Sequence, residues 1–109
     1  MDRQQVIDRL LKLPQEIEET EVALLDAQVG ALAAKETVAD REAELLVSGV
    51  IDGKNAETRS AQVRAATEAE RLAARETENA VSRCRIRFTA LCNEFKALIA
   101  AAALIREVA

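Results

Sequence analysis

A chain of 109 residues is at most one domain, and because much of its 50% hydrophobic content is alanine it lacks the large side chains of a globular core. With no His, Trp or Tyr, only Phe88 and Phe95 as aromatics and 31% charged residues, it has the make-up of long helices and coiled coils. The formal net charge of -4 excludes a global attraction for nucleic acid or anionic lipid, so any such contact needs a local basic patch.

Met1-Asp2-Arg3-Gln4-Gln5 is not a basic region leading into an apolar one, so no export signal is expected and the chain is placed in the cytoplasm. Val6, Ile7, Leu10, Leu11 and Leu13 follow amphipathic spacing and predict a helix over about 2–13. Pro14 lacks an amide and disfavours helix at Leu13, so a break or kink is expected there. A second helix over about 15–47 then starts with Glu16, Glu18, Glu19 and Glu21 at the end the helix dipole favours. Along it Val22, Leu25, Val29, Leu32, Ala39, Ala43 and Leu46 step by three and four, with Glu36 interrupting, and predict the coiled-coil seam.

Ser48 to Lys54 is the loop: Gly49 can end the first arm in a left-handed conformation, and Asp52 or Asn55 can cap the next helix. The second arm, about 55–107, carries its seam through Val63, Ala66, Ala73, Thr77, Ala80, Cys84, Phe88, Leu91, Phe95, Leu98, Ala102 and Ile105, interrupted by Glu70. The predicted architecture is all-α: a long antiparallel, coiled-coil-like helical hairpin with a short N-terminal helix, forming one domain over 1–109.

Folding the arms back symmetrically about the loop places Ala39 near Ala66, Leu32 near Ala73 and Val22 near Cys84. Phe88, Leu91, Phe95 and Leu98 then face Val6, Ile7, Leu10, Leu11 and Leu13, and Arg83, Arg85 and Arg87 fall opposite Glu16, Glu18, Glu19 and Glu21. Such exposed pairs are each worth about 0 to 1 kcal/mol and serve to select the register. Leu24, Leu45, Val47, Val81, Ile86, Ile99 and Leu104 fall outside the seam and need another partner. A homo-oligomer is therefore expected, joined through Val81, Ile86, Phe88, Leu91, Phe95, Leu98, Ile99, Leu104 and Ile105. The most apolar run, Ala97 to Ile105, falls short of the roughly 20 residues of a bilayer span, and no membrane contact is expected.

The residues predict no catalytic centre, metal site or cofactor. Cys84 and Cys92 have no histidine partner, and on one helix they stand roughly 12 Å apart, beyond disulfide reach. Glu36 and Glu70 lack the histidines of a di-metal bundle and read as seam-edge charges that reach solvent or pair with Arg71 and Lys35. Gly53-Lys54 lacks the spacing of a phosphate loop. The candidate nucleic-acid-binding residues are Lys54 and Arg59 at the tip, with Arg64 and Arg71 on one side of the second arm beside Arg75. The bland alternative is a solvated helix face, since Glu68, Glu70, Glu76 and Glu78 interleave with these arginines.

The phrase Gly49-Val50-Ile51-Asp52-Gly53-Lys54-Asn55-Ala56-Glu57-Thr58-Arg59, followed by Ala61-Gln62, resembles a recurring phrase of small helical proteins of tailed phages and prophages. Their Phe-x-x-x-Leu-like ending is matched by Phe95-Lys96-Ala97-Leu98-Ile99. In layout the chain resembles the UvsY-like recombination mediators, helical oligomers that load a recombinase onto single-stranded DNA. The resemblance implies a non-catalytic assembly or mediator factor in phage DNA metabolism, in the cytoplasm of a bacterial host, with a phage or host protein and single-stranded DNA as partners. The alternative functions are a protein that sequesters a cyclic nucleotide against host defence and a plain coiled-coil adaptor.

Overall fold

The computed structural model describes residues 1–108, which form three α-helices: α1 (Arg3–Ser48), α2 (Ala56–Ala66) and α3 (Glu68–Val108). Helix α1 runs through Pro14 without a break, contrary to the expected division into 2–13 and 15–47. The cost of an interior proline is about 3 kcal/mol, with the Leu10 carbonyl left without its helical donor. Against it stand Val6 and Leu13, both buried, each worth about 1.5 to 3 kcal/mol. Arg9 also reaches over the proline to Glu16, at 2.5 Å.

Continuity through Pro14 decides which face of α1 is covered. The half-buried and buried positions Val6, Leu10, Leu13, Ile17, Thr20, Leu24, Ala27, Ala31, Ala34, Val38 and Leu45 keep one three-four phase set by the N-terminal turns. The predicted seam residues Val22, Leu25, Val29, Leu32 and Leu46 are exposed instead, while Leu24 and Leu45, expected to lie outside, belong to the seam. Had the helix restarted after Pro14, the phase would have been free to change.

The second arm is two helices rather than one of about 53 residues, interrupted at Thr67 (φ -110, ψ 16). The Thr67 hydroxyl donates to the Val63 carbonyl at 2.8 Å, the back-bonding that bends helices. The covered positions around it are Val63, Thr67, Ala74 and Thr77, so the predicted Ala66 and Ala73 face out; from Thr77 onward the predicted seam and the covered face agree.

The chain divides into two units. In the first, Met1–Asp26 packs with the segment from Ser82 onward. Its core is Val6, Leu13 and Leu91, with Leu10, Phe88, Phe95 and Leu98 half-buried. Leu11 and Ile7, expected in that core, are exposed because they lie off the seam phase. Arg9 grips Glu94 with two hydrogen bonds, Nε to Oε2 at 2.7 Å and Nη2 to Oε1 at 2.8 Å. Hydrogen bonding to Glu94, then to Glu16, makes the Arg9 guanidinium a weaker acid, against partial burial. The Arg9 hydrogen bond, aided by the charges of Arg9 and Arg87 and opposed by desolvation, holds the Glu94 carboxyl below its usual range. Arg83, Arg85 and Arg87 make no ion pair among the described residues, contrary to the expected match with Glu16 to Glu21; Arg9 has taken Glu16. Helix α3 contains an 18-residue window with a mean hydropathy of 1.5, long and apolar enough by length and composition alone to cross a membrane.

The second unit, Ala27–Val81, is a helical hairpin with an alanine seam of Ala27, Ala31 and Ala34 on α1. Lys35 meets Glu78 at 3.3 Å, Arg41 meets Glu70 at 3.9 Å and Glu42 meets Arg71 at 2.5 Å. This register lies about two turns further along the second arm than symmetrical folding predicts. The loop accounts for the displacement: the Gln62 side chain accepts from the amides of Asp52 and Gly53 and donates to Asp52 Oδ1, so the loop folds onto α2 and takes the place of α1 there. Gly49 adopts φ 76, as expected of a left-handed helix end, and Asn55 caps α2 by accepting from the Thr58 amide.

Candidate nucleic-acid interface

The second unit carries two adjoining hollows along one side of its hairpin. The larger, about 780 Å³, is lined by Lys35 and Val38 of α1, by Ala61, Arg64 and Ala65 of α2, and by Glu68, Arg71, Ala74, Arg75 and Glu78 of α3. Three alanines, Ala61, Ala65 and Ala74, line it among the long charged side chains. The smaller is lined by Glu42, Leu46, Ala56, Arg59, Ser60, Ala61, Val63, Arg64 and Arg71. Arg64 and Arg71 border both.

The interruption at Thr67 positions these arginines. Thr67 is 0% exposed and its hydroxyl accepts from Arg71 Nε at 2.9 Å, while Arg71 Nη2 donates to Glu42. Arg71 is thereby fixed in one orientation by a partner at the interruption and a second on α1. Arg59 donates through Nη1 to the Gly53 carbonyl at 3.1 Å. Arg64 and Arg75 make neither an ion pair nor a side-chain hydrogen bond among the described residues. The larger hollow thus presents Lys35, Arg64, Arg71 and Arg75 against the carboxylates of Glu68 and Glu78.

Of the sequence candidates, Arg59, Arg64 and Arg71 come together here, whereas Lys54 lies in the exposed loop and lines neither hollow. Lys35 reads from the sequence as a seam-edge residue rather than a member of this group, because a symmetrical register puts it about two turns from its actual neighbours. Glu70, expected to pair with Arg71 or Lys35, instead approaches Arg41, and its Oε2 is shielded without a partner among the described residues. The expected oligomer residues divide: Leu91 is enclosed by this chain, Val81, Phe88, Phe95, Leu98 and Ile105 are half-buried, and Ile86, Ile99 and Leu104 are exposed.

Chemically the groove offers planar guanidinium donors suited to phosphate oxygens. It holds no cysteine, and both phenylalanines lie in the other unit, so it has no nucleophilic thiol and no ring on which a base stacks. Among the described residues no group of three or more carboxylate or thiol side chains is arranged to hold a metal ion. No protein-family model matches the chain, and comparison with curated proteins and with solved structures likewise yields no match.

Proposed function

We propose that this chain is a non-catalytic mediator or assembly factor of phage-type DNA metabolism, working in a bacterial cytoplasm. Copies associate through apolar helix faces, and the groove of the second unit holds the backbone of single-stranded DNA. The observation that supports this reading is the presence of Arg64 and Arg75, both without carboxylate partners among the described residues, beside Arg71 and Lys35 in the lining of one groove. Backbone contact without stacking gives weak, sequence-tolerant and salt-sensitive binding, which suits a factor that hands DNA to another protein.

Fluorescence anisotropy with a labelled single-stranded oligonucleotide tests it. Two to four phosphates neutralised per site give a slope of about -1.4 to -2.8 in log K against log salt. Arg64→Ala with Arg75→Ala should weaken binding and flatten that slope by about 1.4. Absence of binding at low salt removes the DNA reading. A cyclic nucleotide that raises the melting temperature while DNA does nothing would transfer the groove to the sequestering alternative.

A further inference from the structure

On α1, Val22, Leu25, Val29 and Leu32 step by three and four and are 53%, 58%, 60% and 60% exposed. At about 100° per residue they lie nearly opposite Leu24, Ala27, Ala31 and Ala34, so this helix carries two heptad series and only one is covered. Valine holds one heptad position and leucine the other, so every position of the block is a large aliphatic side chain. Glu18 and Glu36 occupy the next position of the series on either side and end the apolar block.

We infer that this block is the self-association surface, pairing α1 antiparallel with α1 of a second copy about a two-fold axis at Asp26 to Gln28. The inference refines the self-association proposed above; it shares Lys35 with the proposed DNA groove, and the mass measurement below reads it without DNA. In this register Val22 packs with Leu32 of the second copy and Leu25 with its Val29.

The flanking charges select the direction. Antiparallel pairing sets Glu21 beside Lys35 and Lys12 beside Asp40 of the other copy, and the two-fold repeats each pair. Against these stand Asp26 meeting its own copy at the axis and Glu18 approaching Glu36 at both ends. Parallel pairing sets Glu21 beside Asp26 and Lys35 beside Asp40, each twice, so its one kind of favourable contact is offset by an equal number of repulsions. The bond from Lys35 to Glu78 does not compete strongly, since both side chains are more than half exposed at 66% and 53%.

Sedimentation equilibrium of the full chain at low salt tests the pairing. Glu21→Lys and Lys35→Glu should each weaken the dimer by roughly tenfold, and the double exchange should restore it, because each change reverses two exposed ion pairs. Leu25→Gln should dissociate the dimer and Ile86→Gln, on α3, should leave it intact. Tightening by Glu21→Lys would mean parallel pairing and overturn the inference, as would failure of the double exchange to rescue or dissociation by Ile86→Gln alone. A monomeric wild type would sink self-association altogether; a dimer indifferent to the exchange sinks only this surface.

Discussion

At the scale of single residues, two polar clusters hold each unit in register. Arg9 binds Glu94 through two nitrogens and Glu16 through a third, so one guanidinium ties α3 to the turns of α1 on both sides of Pro14. Because the folded Glu94 carboxyl is held below its usual range, its contribution to stability is full above about pH 4.3, the ordinary glutamate value, and is lost as the pH falls through the folded value. The melting-temperature difference between wild type and Glu94→Gln should therefore be constant from pH 7 to 5 and close on further acidification. A difference that persists undiminished at pH 2 contradicts this. Thr67 does the equivalent in the second unit. Thr67→Val keeps the shape but leaves Arg71 Nε without its acceptor, at a cost of about 1 to 3 kcal/mol in urea unfolding, and frees Arg71 from its fixed orientation.

At the scale of elements, glycine positions give predictions of opposite sign. Gly30 lies inside α1 with nothing within 4 Å of where a methyl group would stand, so Gly30→Ala should stabilise by about 0.5 to 1 kcal/mol. Gly49→Ala should destabilise, because φ 76 penalises any side chain. Equal effects in chemical denaturation would contradict the loop geometry. That loop was legible in the sequence: Gly49 as the helix end and Asn55 as the cap follow from backbone preferences confined to a few residues. The covered face of α1 was not. Two heptad series run along the same helix, and Val22, Leu25, Val29 and Leu32 look the better seam because they are larger than Ala27, Ala31 and Ala34. The choice is made elsewhere, by Val6, Leu10 and Leu13 acting through an unbroken Pro14. The groove was half legible for a related reason. Arg64, Arg71 and Arg75 fall on one side by local spacing, whereas Lys35 joins them through a register that Gln62 sets by drawing the loop onto α2.

At the scale of the whole molecule, a single copy leaves an apolar series of α1 in water together with Ile86, Ile99 and Leu104 of α3. Side chains of this size are each worth about 1.5 to 3 kcal/mol when fully buried, enough in sum to drive association at micromolar concentration. On the proposed reading, association would repeat the arginine groove, and a second groove on the same DNA strand would bind at raised effective concentration. Variants that dissociate the assembly should therefore lose DNA affinity by more than tenfold while keeping Arg64 and Arg75 intact. The most direct test of the account is the mass in solution, measured by light scattering across micromolar concentrations. The account predicts a multiple of 11.9 kDa that falls toward one copy on dilution; a constant 11.9 kDa at every concentration would contradict it.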